Sequence, residues 1–263
     1  KKRFKKNVIK AKKYIKIGDI FQVVLSQRFE TKLTKTPIEI YKKLRRTNPS
    51  PFMYFFNFKD FQIIGASPEI LVRLRNNKIT IRPIAGTRPR GKNKKQDLLL
   101  EKDLLKDKKE LSEHLMLLDL GRNDVGKVSR VNSVQVTEKF RIEKYSHVMH
   151  IVSNVEGDFD NKQTLLDTMF AGFPAGTVTG APKIRAMEII DELEKSKRKM
   201  YAGSIGYFSA NKNFDTCIAL RTALIKNNKF YIQSGAGIVA DSIPEKEYLE
   251  TVNKAKALIS SLN

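Results

Sequence analysis

The chain has 263 residues, of which 41% are hydrophobic and 30% are charged. This composition excludes collagen-like, low-complexity and wholly disordered proteins. The formal net charge of +22 would attract nucleic acid, but the lysines are scattered, often beside acids, and few aromatic residues lie between them. We therefore interpret the charge as general lysine enrichment and expect no nucleic-acid partner.

The predicted elements are helices and strands joined by asparagine-rich turns. Residues Phe4 to Ile17 have a helical period, and Ile20 to Phe29 are predicted to form a strand. Further helices are predicted near Pro37 to Arg45, Leu98 to Leu118, Gln163 to Phe170, Pro182 to Lys195 and Pro244 to Leu258. Hairpin turns, in which asparagine tolerates positive φ, are predicted at Asn76-Asn77, Asn211-Lys212-Asn213 and Asn227-Asn228. These elements predict one α+β domain over residues 1–263.

Two pairs of glutamates share one spacing, namely Glu110 with Glu113 and Glu247 with Glu250. Residues at i and i+3 lie on one face of a helix, so each pair presents two carboxylates together. A capping box of Ser242 and Glu245 is predicted to start the second helix. Like charges this close favour a cation between them, and oxygen-only ligands suit Mg²⁺. Such pairs also occur on solvated helix faces, so the spacing leaves both interpretations open.

Two glycine-containing segments are candidates for binding an anion. The loop Phe173 to Lys183 runs into a predicted helix, whose first amides would suit an anion, although a purely structural turn is equally consistent. Gly235 and Gly237 follow the predicted strand Phe230 to Ile232. They either mark a bend or let backbone amides approach a carboxylate closely.

Arg221 and two histidines lie in apolar segments. Arg221 falls within a predicted strand, Thr216 to Ile225, where its guanidinium needs an anionic partner, either a ligand or an internal acid. His147 and His150 have apolar neighbours and are first interpreted as structural hydrogen-bonding residues. The single cysteine, Cys217, can form neither an internal disulfide nor a multi-cysteine metal site.

Taken together, these segments resemble the chorismate-utilising enzymes, and most closely the catalytic C-terminal region of anthranilate synthase large subunits. The matching segments follow the family's order and are Asp19 to Phe29, Ala66 to Glu69, Pro83 to Gly91, Glu110 to Asp124, His147 to Gly157, Phe173 to Lys183, Tyr201 to Tyr207 and Gln233 to Thr251. The resemblance implies an α+β fold of two large antiparallel sheets packed face to face, with helices outside and an active site in the cleft.

The resemblance also implies a magnesium site. Glu110 and Glu247 would bind Mg²⁺ directly, and Glu113 and Glu250 would complete the acidic shell. The cation would hold the ring carboxylate of chorismate and offset its charge beside four glutamates.

The same resemblance implies the substrate contacts. Tyr201 and Arg221 would bind the enolpyruvyl carboxylate, assisted by amides around Gly235 and Gly237. Thr177 would lie against the substrate.

The implied reaction adds ammonia to chorismate and releases anthranilate and pyruvate, in tryptophan biosynthesis. A protonated Glu69 would act as general acid for the leaving hydroxyl, and His150 would lie near the elimination of pyruvate. Branches that add water carry a lysine base where this chain has Gln22, so isochorismate and salicylate synthesis are disfavoured. Aminodeoxychorismate synthases of folate biosynthesis that use a covalent lysine carry it where this chain has Ala85, which disfavours them. Some members of that branch lack this lysine, so aminodeoxychorismate synthesis is the alternative.

The family's large subunits are much longer, which leads us to expect a C-terminal fragment or an incomplete gene. One wall of a tryptophan feedback site is expected at Asn48 to Met53, so feedback inhibition is expected to be weak or lost. No glutaminase motif surrounds Cys217, so ammonia is expected from solution or from a separate glutamine amidotransferase subunit.

No apolar run reaches the roughly 18 to 20 residues of a membrane span, and the basic start lacks a signal peptide's apolar stretch. We therefore expect a soluble, cytoplasmic protein without membrane contact. The non-enzymatic alternative is a basic nucleic-acid-binding protein.

Overall fold

The computed structural model describes residues 1–145 and 148–262, so His147 lies outside the described residues. The chain divides into two compact units. Unit 1 comprises Lys1–Glu69, Val178–Ile205 and Cys217–Asn263, and unit 2 comprises Ile70–Thr177 and Gly206–Thr216.

Helices are found close to every predicted position. In the described part of the chain they are α1 (Lys2–Lys16), α2 (Pro37–Thr47), α3 (Lys94–Lys106), α4 (Lys108–Gly126), α5 (Leu165–Ala171), α6 (Gly176–Thr179), α7 (Lys183–Leu193) and α8 (Pro244–Ile259). No helix among these residues is both long and apolar enough to cross a membrane.

The predicted single helix from Leu98 to Leu118 is wrong, because the chain forms two helices there. Asp107 has an extended backbone (φ −73°, ψ 101°) and its side chain accepts hydrogen bonds from the amides of Lys109 and Glu110. These bonds satisfy amides that have no partner inside the helix, so Asp107 caps the start of α4. The cap places Glu110 in the first turn.

The predicted capping box of Ser242 and Glu245 is also wrong. Helix α8 is capped by Ile243, one residue later than predicted, without a side-chain hydrogen bond. The hydroxyl of Ser242 instead accepts a hydrogen bond from the Val239 amide at 3.0 Å. The Glu245 carboxylate pairs with the ammonium group of Lys1, at 2.6 Å.

The strands form two antiparallel sheets, which confirms the predicted α+β class. In the described residues they are β1 (Gln22–Lys32), β2 (Phe52–Asn57), β3 (Gln62–Ser67), β4 (Ile70–Arg75), β5 (Lys78–Ile81), β6 (Ile84–Pro89), β7 (Gln135–Lys144), β8 (Val148–Asp158), β9 (Gly180–Ala181), β10 (Ser204–Phe208), β11 (Phe214–Ile218), β12 (Thr222–Lys226) and β13 (Lys229–Ile238). One sheet has the order β2-β3-β12-β13-β1-β9, and the other has the order β10-β11-β4-β5-β8-β6 with β7 paired to β8.

The predicted hairpin turns are confirmed, with one difference in detail. Asn76 and Asn77 join β4 to β5 with φ of 51° and 60°, and Asn227 and Asn228 join β12 to β13 with φ of 51° and 58°. In the turn between β10 and β11 the left-handed residue is Lys212, at φ 64°, rather than an asparagine. Within that turn the Asn211 side chain accepts the Asn213 amide at 3.2 Å, and the Asn213 side chain accepts the Asn76 amide of the β4–β5 turn at 3.1 Å.

The two faces of β1 in unit 1 have different roles. Val23 and Leu25 belong to an apolar core that includes Phe4 of α1 and Ile189 of α7. Strand alternation puts Ser26 on the opposite face. Directly opposed residues of an antiparallel pair share a face. Gly235 of β13 is directly opposite Ser26 and therefore lies on the same face. Gly237 is opposite Val24 and Gln233 is opposite Arg28, so both lie on this face too. This face is polar and rich in glycine.

In unit 2, α4 packs against β6 and β8. The core beneath includes the fully buried Leu104, Met149 and Ile151, with Leu111 and Phe140 packed against them. This packing fixes the first turn of α4 beside the first residues of β8.

Candidate active site

In unit 2 the Glu110 carboxylate lies beside the backbone of β6. Gly86 has φ of 71°, and a Cβ on it would come within 3.3 Å of Glu110 Oε2 and 3.1 Å of the Ile151 side chain. Glycine therefore suits this position for both its conformation and its lack of a side chain. Arg88 places Nη1 3.5 Å from Glu110 Oε1 and donates Nη2 to Asp107 at 2.7 Å. The Glu110 carboxylate thus already faces a positive charge.

His150 lies on β8 next to the same glycine, and its surroundings select one tautomer. Its Nδ1 is 3.1 Å from the Gly86 carbonyl oxygen and 3.0 Å from Thr87 Oγ1. Since a carbonyl oxygen only accepts, these contacts assign the proton of the neutral imidazole to Nδ1. Tyr145 packs edge-on against the ring at 5.5 Å between centroids. Nε2 is then the nitrogen that can take up a proton.

In unit 1 the Tyr201 hydroxyl lies against Gly235. Tyr201 is 7% exposed. A Cβ on Gly235 would be 2.8 Å from the Tyr201 Oη, so glycine is required for this close approach. Burial raises the pKa of Tyr201 to about 12, although Arg198 and a hydrogen bond from the Gly235 backbone to the tyrosine oxygen oppose the shift. The hydroxyl therefore keeps its proton and can act as a hydrogen-bond donor at neutral pH.

Lys254 connects this glycine to the acidic pair on α8. Its Nζ donates to the Gly235 carbonyl oxygen at 3.1 Å and pairs with Glu250 Oε1 at 2.7 Å. Lys254 was not among the site residues predicted from the sequence. Its spacing of four residues from Glu250 is a signal, but the same spacing is common in surface pairs on helices.

Three predicted positions, Arg221, Gly235 and Gly237, lie in different local structures from those expected. Arg221 is not inside a strand, because β11 ends at Ile218 and β12 starts at Thr222. It is half-buried, and its backbone is left-handed at φ 46°. Its carbonyl oxygen accepts the Ala66 amide at 3.1 Å, which ties this bend to β3. Gly235 and Gly237 lie inside β13 rather than after it, because the strand continues to Ile238.

Glu69 follows a strand, and Thr177 lies on a four-residue helix. Glu69 is buried in unit 1 directly after β3, and its carbonyl oxygen accepts the Ile218 amide at 3.0 Å. Thr177 lies on α6 in unit 2. Within residues 1–145 and 148–262, its Oγ1 is buried and has no hydrogen-bond partner. Burying a hydroxyl without a partner is unfavourable, which is consistent with a role in holding a ligand.

The four candidate metal ligands lie in two pairs. Glu110 and Glu113 lie on α4 in unit 2, and Glu247 and Glu250 lie on α8 in unit 1. Among the described residues, no group of three or more His, Cys, Asp or Glu side chains is arranged to hold a metal ion. Each pair nevertheless offers only carboxylate oxygens, the ligands that Mg²⁺ prefers. The donor chemistry of each pair therefore fits Mg²⁺, and in each pair one carboxylate also pairs with a basic side chain, Glu110 with Arg88 and Glu250 with Lys254.

Comparison with known proteins defines the class. Residues 1–260 match the family model of the chorismate binding enzymes, and the chain belongs to that family. The resemblance inferred from the motifs is therefore confirmed.

Within the family, the chain is similar to proteins named anthranilate synthase component 1. It is 63% identical to that of Cereibacter sphaeroides over 255 residues, which cover 97% of this chain and 51% of the relative. It is 55% identical to that of Acetivibrio thermocellus over 262 residues, which cover 100% of this chain and 53% of the relative. The chain thus spans about half the length of the curated relatives it matches.

Solved structures share the fold. Anthranilate synthase component I from Streptococcus pneumoniae has a TM-score of 0.92 at 50% identity, covering 97% of this chain and 57% of that one. The menaquinone-specific isochorismate synthase of Escherichia coli has a TM-score of 0.90 at 26% identity, covering 100% of this chain and 61% of that one. The fold is therefore common to branches with different reactions, so the reaction must be argued from particular residues.

Proposed function

We propose that this chain carries the chorismate-converting activity of an anthranilate synthase. The reaction combines chorismate with ammonia and releases anthranilate, pyruvate and water, in tryptophan biosynthesis in the cytoplasm. The observation that supports it most is the 63% identity to an anthranilate synthase component 1 over 97% of the chain. A separate glutamine amidotransferase subunit would supply the ammonia.

Magnesium is proposed as the cofactor. Glu110 and Glu247 would hold Mg²⁺, and Glu113 and Glu250 would complete the acidic shell. When bound, the cation supplies positive charge that anchors the ring carboxylate of chorismate.

The enolpyruvyl carboxylate is proposed to bind to Tyr201 and Arg221. The Tyr201 hydroxyl donates one hydrogen bond, because its raised pKa of about 12 keeps it protonated. The Arg221 guanidinium can form a bidentate pair with a carboxylate. Backbone amides around Gly235 and Gly237, and the hydroxyl of Thr177, complete the contacts.

Two of the proton transfers that accompany the bond changes are proposed for particular residues. Ammonia forms a bond to ring carbon 2 while the carbon 4 hydroxyl leaves, and a protonated Glu69 donates the proton that converts it to water. The carbon 2 proton is then removed, and its bonding electrons form the ring double bond as the bond from carbon 3 to the enolpyruvyl oxygen breaks. The expelled enolate takes up a proton to become pyruvate, and the ammonium group at carbon 2 loses its extra proton to give the amine. His150 Nε2 is the proposed acceptor, because Nδ1 is held by the Gly86 carbonyl oxygen.

Ammonia rather than water is the proposed nucleophile. The position at which water-adding branches carry a lysine base is Gln22 here, and an uncharged amide cannot deprotonate water. Gln22 is buried at the start of β1.

The first test is to incubate the chain with chorismate, Mg²⁺ and ammonium at alkaline pH, following anthranilate fluorescence and pyruvate release together. Equal amounts of both products are expected. An aminated product without pyruvate would instead indicate an aminodeoxychorismate synthase. Salt-dependent binding to duplex DNA without chorismate turnover would point to a nucleic-acid-binding protein.

The metal assignment is tested by Glu247→Gln, which keeps the shape of the side chain and removes its charge. Turnover should be abolished while the circular dichroism spectrum stays unchanged. The matched control is Glu245→Gln on the same helix, whose carboxylate pairs with Lys1 and Lys5 instead. This control should retain turnover. Full activity in Glu247→Gln would contradict the assignment.

A further inference from the structure

The orientation of Tyr201 depends on a turn that ends at that residue. The Tyr201 amide donates to the Arg198 carbonyl oxygen at 3.0 Å. The turn brings the Arg198 guanidinium over the tyrosine ring, with Cζ 5.4 Å from the ring centroid. A guanidinium over an aromatic face is a favourable contact, and more so where water is excluded.

Most N–H groups of Arg198 donate to protein groups of unit 1. Its Nε and Nη2 donate to the two oxygens of Glu194 at 3.1 and 2.7 Å. Its Nη1 donates to the Val178 carbonyl oxygen and its Nη2 to the Val24 carbonyl oxygen, both at 2.6 Å. Four of the five N–H groups thus donate internally, and the side chain is only 15% exposed. Arg198 is therefore built to hold other groups in place rather than to bind a ligand itself.

Glu194 joins this guanidinium to the strand face that carries Gly235. Its Oε1 accepts the Ser26 amide at 2.7 Å and the Ser26 hydroxyl at 2.9 Å. Gln233 Nε2 in turn donates to Ser26 Oγ at 2.7 Å. Ser26 is the register partner of Gly235. The Glu194 side chain is 6% exposed. Its carboxylate thus links the turn before Tyr201 to β1 directly and to β13 through Ser26.

We propose that the Glu194–Arg198 ion pair is a positioning element that holds the Tyr201 hydroxyl against Gly235, so that it meets a carboxylate of the substrate in one orientation. The ligand in this inference rests on the proposed function, whereas the positioning itself does not. A buried ion pair is weak evidence for added stability, and its best-supported use is to fix one geometry.

The first test is kinetic. Arg198→Lys keeps the positive charge beside Glu194 but loses the planar fork and the ring contact. The chorismate KM should rise about tenfold, a change of about 1.4 kcal/mol, with kcat within about twofold. The matched control is Arg185→Lys, because Arg185 also pairs with an acid, Asp19, and lies over a ring, Tyr14, at 5.3 Å. That variant should leave KM and kcat unchanged.

A double-mutant cycle separates positioning from general damage. Tyr201→Phe should raise KM by a similar factor, and adding Arg198→Lys to it should change KM by less than about twofold, because the two residues act through one contact. The proposal would be overturned if the KM increases of the two single variants multiplied in the double variant, or if Arg198→Lys left KM unchanged. If Arg198→Lys does not fold, Glu194→Gln takes its place with the same expected results.

A spectroscopic test needs no substrate. With ¹³Cζ-labelled tyrosine, the Tyr201 resonance is assigned by its loss in Tyr201→Phe. Arg198→Lys should shift this resonance, whereas Arg185→Lys should shift that of Tyr14 and leave Tyr201 unchanged. An unmoved Tyr201 resonance in Arg198→Lys would overturn the positioning role. Absence of chorismate turnover in the unmodified chain would overturn the proposed function alone, so the two failures are distinguishable.

Discussion

Lowering the pH from 8 to 5 should destabilise the chain through one buried histidine on α4. His114 is fully buried, and its Nε2 is 2.7 Å from Ser153 Oγ. Its ring packs against Phe140 at 5.3 Å between centroids. Among residues 1–145 and 148–262, Nδ1 has no hydrogen-bond partner. A proton added there would be buried without an acceptor.

The size of the effect follows from the two pKa values. Burial lowers the pKa of His114 from 6.5 to about 4 in the folded chain. Above pH 6.5 both states are neutral, so the histidine adds no pH dependence. As the pH falls below 6.5 the unfolded chain takes up the proton first, which favours unfolding. The loss in the free energy of unfolding reaches about 2 kcal/mol at pH 5 and levels off near 3 kcal/mol below pH 4.

The assay is urea denaturation at pH 8 and pH 5 of the unmodified chain and of His114→Gln, which cannot titrate. Carboxylates contribute equally to both, so the difference between the two pH dependences isolates the histidine. It should be about 2 kcal/mol. Ser153→Ala is the control, since it removes a hydrogen bond but leaves the imidazole buried, and it should keep the full pH dependence. Identical pH dependences for the unmodified chain and His114→Gln would refute the reasoning.

Two further predictions concern stability. Gly65→Ala places a Cβ 2.3 Å from the Tyr54 ring and should lower the free energy of unfolding by about 2 kcal/mol, whereas Gly126→Ala, with its nearest neighbour at 4.0 Å, should change it by less than about 1 kcal/mol. Urea denaturation of both variants measures this, and equal losses would contradict it. Asp107→Ala removes the cap of α4 and should cost about 1 kcal/mol by the same assay. An unchanged midpoint would show that the cap adds no stability.

The helices, hairpin turns and fold class could be predicted because their signals are local. A helical period needs only neighbouring residues, and the turns Asn76-Asn77 and Asn227-Asn228 adopt positive φ as their residue type suggests. Local signals failed where two of them competed. The apolar period ran through Asp107, although its side chain can cap a helix.

For the candidate site, the residues could be selected from the sequence, but their contacts could not be predicted. Residue types and motif order were enough to select residues such as Tyr201 and the acidic pairs, and the family is confirmed. Which atoms meet could not be predicted. His150 obtains its tautomer from Gly86, 64 residues away, and Glu194 reaches Ser26 across 168 residues.

The sequence alone therefore determines the chemistry that each residue offers, because a side chain has the same donors, acceptors and charge wherever it lies. The interaction partners of each side chain are decided only by the tertiary structure, because hydrogen bonds and burial depend on distances that are set once the strands have paired. Lys254 illustrates the difference, since its spacing from Glu250 predicts a surface pair, whereas folding brings the Gly235 carbonyl oxygen within 3.1 Å of its ammonium group.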